Sequence, residues 1–265
     1  MRKIIISLAP VAATSKNIDP RTIADEVIEA SRVGASMVHL HVREKTGELT
    51  KDLTVFKDTV ELICRDSDIV IQASTGGISN LSIEERCTPL EYDRVETASL
   101  NGGSVNLGDA VYKNSFSDIK YCAERVREQK ILPEFEVFEI GMINNIKIVG
   151  AEVPLQDPVL FNIVLGHKGA MPATIEALTA FKQFIPENAL WGITHFGRKD
   201  FSLLTTAVAM GASLVRIGFE DSPYIDDEKI AENNVVLVKK IAEIIRSMGM
   251  DVASPQEARE ILKLK

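Results

Sequence analysis

What most constrains this chain is a rhythm repeated eight times, a short apolar or β-branched run followed by a longer stretch of helical period. The short runs lie near Ile4–Ala9, Met37–Val42, Ile69–Ser74, Thr97–Asn101, Phe135–Phe138, Phe161–Leu165, Trp191–Phe196 and Val215–Phe219, and read as strands. Helices are expected near Pro20–Val33, Leu53–Arg65, Ile83–Leu90, Phe116–Gln129, Glu139–Ile148, Ala173–Phe184, Asp200–Met210 and Asp227–Met248. A last one follows at Pro255–Lys263. Ser82-Ile83-Glu84-Glu85 and Ser254-Pro255-Gln256-Glu257 read as capping boxes, in which a Ser oxygen and a Glu carboxylate satisfy free backbone donors. Gly34, Gly211 and Gly249 follow helical runs, as left-handed caps do. Eight such units in 265 residues, with no Pro/Ser-rich linker, predict an α/β chain forming one (β/α)8 TIM barrel. The barrel is expected to be a single domain over residues 1–265, with an extra C-terminal helix. An open doubly wound sheet would alternate too. It usually carries a Gly-rich turn after its first strand, and Ala9-Pro10-Val11-Ala12-Ala13 is no such turn.

Composition removes several classes of function. The net charge of −8 leaves no electrostatic footprint for nucleic acid. No apolar run approaches the roughly 18 residues that cross a bilayer. Met1-Arg2-Lys3 and the apolar stretch after it mimic a short signal peptide, but Ser7 and Pro10 interrupt it, and a buried first strand explains it as well. Cys64, Cys87 and Cys122 are odd in number and in no CxxC spacing, which favours free thiols in a cytoplasmic protein. The sequence holds no nucleophile elbow, Walker loop, kinase set or HExxH.

In a barrel of this kind, functional groups stand at the carboxyl ends of strands. Alternation along Met37–Val42 puts Val38, Leu40 and Val42 on one face and His39 and His41 on the other. Two inward imidazoles can hold one divalent ion, zinc being the first such donors suggest, or can be hydrogen-bonded core histidines. In Val215–Asp221 the inner face takes Arg216, Gly218 and Glu220. Buried Arg and Glu are costly unless paired or bound, so Glu220 can supply a third ligand, or pair with Arg216, as can Asp221. Ser74-Thr75-Gly76-Gly77 offers a hydroxyl and close backbone approach, or is simply a tight turn. Thr97, Ser99 and Asn101 form a small polar row on one face. His195 and His167 read as hydrogen-bonded singles, with a ligand or base role open to His195.

Together, Val38–Glu44, Gln72–Gly77, Glu134–Phe138 and Arg216–Asp221 resemble the β-keto acid cleavage enzymes, and the resemblance runs over essentially the whole chain. It implies a zinc-dependent TIM barrel that takes a β-keto acid and acetyl-CoA and yields acetoacetate and a new acyl-CoA. It further implies His39, His41 and Glu220 as metal ligands, and Arg216 and Asp221 as a catalytic pair. Ser74, Gly77, Ser99 and Asn101 fall at its substrate contacts, and a homotetramer is expected. One departure stands out. Family members acting on an amino substrate carry a Glu in the loop after the first strand. Here that loop reads Val11-Ala12-Ala13-Thr14, so Thr14 marks a neutral or differently charged acid.

Two rivals follow from the same residues. A metal-dependent hydrolase of the amidohydrolase kind also uses HxH at a strand end, typically on its first strand and with further His and Asp ligands. A non-catalytic metal-binding protein would close four ligands around its ion.

Overall fold

Eight parallel strands close on themselves in sequence order. They are β1 Lys3–Leu8, β2 Met37–Leu40, β3 Val70–Ser74, β4 Thr97–Asn101, β5 Leu132–Val137, β6 Leu160–Leu165, β7 Leu190–His195 and β8 Leu214–Ile217. Strand β8 returns to β1, with Arg216 opposite Ser7 and Ile217 opposite Leu8. With helices between the strands, this is the expected (β/α)8 TIM barrel. The computed structural model describes residues 1–264; Lys265, the last residue of the expected 1–265 unit, lies outside them. No described helix is long and apolar enough to cross a membrane.

One face of each strand joins an apolar shell shared with the helices, and the other points into the barrel. At the strands' amino-terminal ends, inward Ile5, Met37, Val70, Leu132, Leu160 and Leu214 cluster with Ala253, Ala258 and Leu262. The helix Pro255–Leu262, begun by the Ser254 capping box, therefore plugs the barrel floor, and Asp251–Val252 ties it to β1. Burying each Leu, Ile or Met contributes about 1.5–3 kcal/mol. Two residues further along the same faces stand Ser7, His39, Gln72, Glu134, Asn162 and Arg216, all buried. The interior thus turns polar abruptly towards the strands' carboxyl ends.

Several boundaries differ from the sequence rhythm. Strand β8 ends at Ile217, short of Phe219, because Gly218 turns the chain at φ +150°, and a Cβ there would lie 2.1 Å from the Ala9 carbonyl oxygen. Strand β2 likewise ends at Leu40. The long helix expected from Asp227 begins at Asn234, since Asn233 caps it and the Asn234 side chain is held elsewhere. Its Oδ1 accepts from Phe219 N at 2.8 Å, and its Nδ2 donates to Pro10 O at 3.0 Å. The expected helix Ile83–Leu90 splits into the single turn Ile83–Arg86 and a 3-10 turn Thr88–Glu91. A hairpin of Val105–Leu107 with Ala110–Tyr112 was not visible in the rhythm, because three residues are too few to show alternation.

Candidate active site

His39 enters the barrel from β2, His41 from the turn after it, and Glu220 from the turn after Gly218. Their facing atoms meet: His39 Nε2 and His41 Nε2 at 3.3 Å, His41 Nε2 and Glu220 Oε1 at 3.3 Å, and His39 Nε2 and Glu220 Oε1 at 3.7 Å. Among the described residues these three form the group able to hold a metal. The spacing fits an ion, because tetrahedral zinc with bonds of about 2.0–2.1 Å has ligand-to-ligand edges of about 3.3 Å.

The neighbouring bonds fix the proton on His39. Gln72 gives its Nε2 hydrogen to Glu134 Oε2 at 2.9 Å, so its Oε1 is the atom facing His39 Nδ1 at 2.7 Å. Nδ1 must therefore donate, which leaves Nε2 with a bare lone pair aimed into the site. Glu134 is held in turn by Asn162 Nδ2 at 2.6 Å. Such outer bonds orient a metal-binding imidazole. Burial pushes the His39 imidazole down to about 3, keeping it neutral. Burial works against the Glu220 charge, but the facing His41 and the Arg216 guanidinium outweigh it and hold the carboxyl below its ordinary range.

Beside this group, Arg216 joins three carboxylates. Its Nε and Nη2 donate to Asp221 at 3.0 and 2.6 Å, its Nη1 to Glu136 Oε1 at 2.9 Å, and Nη2 also lies 3.5 Å from Glu220. Burial raises the Asp221 carboxyl despite Arg216, and pushes Glu136 up to about 7. Both are thereby more basic than exposed carboxylates.

The floor of a cavity of about 880 Å³ is formed by His39, His41, Glu220, Arg216, Asp221 and Glu136. Ser74 and Gly77 line its β3 side; the Ser74 hydroxyl accepts from Gly76 N at 3.2 Å. Ser99 is buried behind Ser74, its hydroxyl 3.4 Å away. Asn101 is also buried behind the wall, its Oδ1 accepting from Gly103 N at 3.0 Å and its Nδ2 without a partner. Thr14 is exposed and stands outside the cavity wall, which its neighbours Ala13 and Lys16 join. His167 lines the wall, stacked on Phe196 at 3.8 Å and neutral because burial lowers it to about 4. His195 is half-buried, with Nδ1 unpartnered.

Glu136, Gln72, Glu134, Arg43 and Tyr112 were given no role from sequence. A signal existed for two of them. Glu134 and Glu136 are charged residues two apart in an otherwise apolar strand, the pattern of an inward polar face.

Fold and site together define a (β/α)8 barrel with two histidines and a carboxylate converging beside a buried Arg–Asp pair. Sequence comparison carries this further. The model of the beta-keto acid cleavage enzyme matches residues 3–264, and the chain belongs to that family. It is 36% identical over 274 residues to the 3-keto-5-aminohexanoate cleavage enzyme of Fusobacterium nucleatum subsp. nucleatum, covering 100% of this chain and 99% of that one. It is 31% identical to the 3,5-dioxohexanoate:acetyl-CoA acetone transferase of Paraburkholderia graminis, covering 100% of this chain and 96% of that one. A solved structure of ObcA in ternary complex with a C4-CoA adduct and oxalate shares the fold, with TM-score 0.79 and 18% identity over 93% of this chain and 67% of that one.

Proposed function

We propose that the chain exchanges acyl groups between a β-keto acid and acetyl-CoA, releasing acetoacetate and a new acyl-CoA. Family membership gives the reaction class, and the relatives' names share a 3-keto acid. The observation that carries the site assignment is the meeting of His39, His41 and Glu220 on the floor of an open cavity, beside a carboxylate that can act as a base.

His39, His41 and Glu220 would hold a divalent ion, zinc by their donor set. When bound, it supplies Lewis-acid polarisation of the keto and carboxylate oxygens. Three ligands beside an 880 Å³ cavity suit a catalytic ion better than a closed structural one. Asp221, aimed and held by Arg216, takes a proton from C2 of the acid. The C2 carbanion attacks the acetyl carbonyl, and CoA leaves as thiolate. That thiolate adds to the acid's original C3 carbonyl; the C2–C3 bond breaks, and the carbanion released at C2 recovers the proton. Ser74 and the Gly76–Gly77 turn hold the acid's carboxylate, with Ser99 bracing that turn from behind through Ser74 and Thr75, while the unpartnered Nδ2 of Asn101 is left to reach the substrate. Thr14 sits outside the wall, in the loop whose Ala13 and Lys16 join it. Exposed Lys16 on the cavity wall supplies positive charge for the CoA phosphates, which the overall −8 conceals, and Lys168 adds to it where a phosphate displaces its exposed partner Asp109.

Label tracing tests the bond order. A keto acid labelled at C1 should give acetoacetate labelled in its carboxyl carbon, and carbonyl-labelled acetyl-CoA should label the acetoacetate ketone. Label from acetyl-CoA appearing in the new acyl-CoA would refute this route.

A further inference from the structure

One hydroxyl on the cavity wall gives its hydrogen to no described residue. Tyr112 ends the hairpin strand Ala110–Tyr112, is buried, and lines the main cavity. Its oxygen accepts from Arg86 Nη2 at 3.4 Å, and the Gly77 amide approaches the same atom. Both of these are donors, so the phenol's own hydrogen is left unused. Tyr92 shows the ordinary arrangement in this chain, its hydroxyl donating to Glu61 Oε1. Burial raises the Tyr112 phenol to about 12, so it keeps that hydrogen at neutral pH. A buried hydroxyl with an unmatched hydrogen costs free energy until a ligand accepts it.

Position selects the acceptor. The Tyr112 hydroxyl lies against Gly76, where an added Cβ would meet it at 1.9 Å and the Ser74 hydroxyl at 3.7 Å. Glycine at 76 is what lets the phenol reach the turn. Ser74 Oγ is arranged in the same way. It accepts from Gly76 N at 3.2 Å and from Ser99 Oγ at 3.4 Å, which leaves its own hydrogen for the cavity. Two hydroxyls therefore flank one glycine, each with donors behind it and a hydrogen to give. Such a pair matches the two oxygens of a carboxylate. The charge behind them has the right sign. Arg86 donates to Thr75 O at 2.7 Å, Lys113 O at 3.1 Å and Asn114 Oδ1 at 2.6 Å, and its guanidinium carbon lies 5.4 Å from the Tyr112 ring centre. Every acceptor it meets is neutral. Such a cation strengthens the phenol as a donor and favours an anion on its far side.

We infer that Tyr112 binds the carboxylate of the β-keto acid through its hydroxyl, as the partner of Ser74 across Gly76. The inference rests on the acyl-exchange reading for the identity of the acid. The test is calorimetric binding, without acetyl-CoA, of 3-oxohexanoate and its neutral amide to zinc-loaded wild type and Tyr112→Phe. Wild type should bind the acid at least about tenfold more tightly than the amide. Y112F should lose about tenfold or more for the acid and less than about threefold for the amide, since a hydrogen bond to a charged group is the stronger one. Unchanged acid binding in Y112F would overturn the assignment. Equal weakening of both compounds would overturn it too, because it would put Tyr112 on the keto oxygen that they share. Thermal melts report whether Y112F folds. If it does not, the tyrosine ultraviolet difference spectrum of wild type decides: the acid should perturb it and the amide should not, and identical spectra would overturn the assignment. Turnover with acetyl-CoA is scored separately. Selective loss of acid binding in Y112F, with no turnover in wild type, would sink the exchange reading and leave the Tyr112 assignment standing.

Discussion

Arg216 grips Asp221 through two donors at once, Nε at 3.0 Å and Nη2 at 2.6 Å, and both residues are buried. A carboxylate fixed this way keeps one direction towards the cavity, while burial keeps it basic. Removing its charge without changing its shape should separate chemistry from metal binding. Asp221→Asn should retain zinc and lose turnover by about 100-fold or more. Metal analysis and kcat together check this, and unchanged kcat contradicts the assigned base.

The same arginine carries structural weight. Arg216→Met leaves Asp221 and Glu136 buried without their partner, at a cost of about 3–5 kcal/mol. Denaturant unfolding of the chelated protein measures it. A loss below 1 kcal/mol would mean that the carboxylates find other partners.

Gln72 is not among the proposed metal ligands, yet it dictates which nitrogen of His39 carries hydrogen. Gln72→Leu should weaken zinc binding by about 10–100-fold while leaving the three proposed ligands in place. Competition against a fluorescent chelator gives the affinity. Undiminished affinity would show that the tautomer is set otherwise.

How much of this was legible in sequence depends on the kind of contact. The barrel and its inward His39 and Arg216 followed from alternation, because side-chain direction in a strand is a local property. His41 and Glu220 were assigned by the same counting, but they reach the site from turns, and Asp221, on the opposite parity, was assigned only by the family resemblance. The count succeeded because Gly218 bends the chain back instead of extending the strand. The meeting of Glu136 with Arg216 spans 80 positions and depends on barrel closure, which no local pattern encodes. Cys87 and Cys122 likewise meet across two helical segments, 35 positions apart, as free thiols.

That turn has its own consequence. At Gly218→Ala the new Cβ would sit 2.1 Å from Ala9 O, at a φ of +150°. Backbone must move, and the displacement falls on Glu220. The variant should lose more than about 2 kcal/mol of stability and bind zinc less tightly. Wild-type melting temperature and zinc content together would show that the turn tolerates a side chain.

His167 gives a pH signature. Burial lowers its imidazole to about 4, so between there and its ordinary value of 6.5 the unfolded chain binds more protons than the folded one. Its contribution to stability is complete above about pH 6.5 and is lost as pH falls through about 4. Melting temperatures of the chelated protein should drop across that window, less steeply in His167→Asn. Identical slopes would remove His167 as a cause.

The acyl exchange itself is tested most directly by product analysis, with β-keto acids and acetyl-CoA incubated with and without chelator. Acetoacetate and a new acyl-CoA should form in equal amounts, only when acetyl-CoA is present, and should disappear on metal removal and return with zinc. Hydrolysis or decarboxylation products formed without acetyl-CoA, with no new acyl-CoA, would contradict the account.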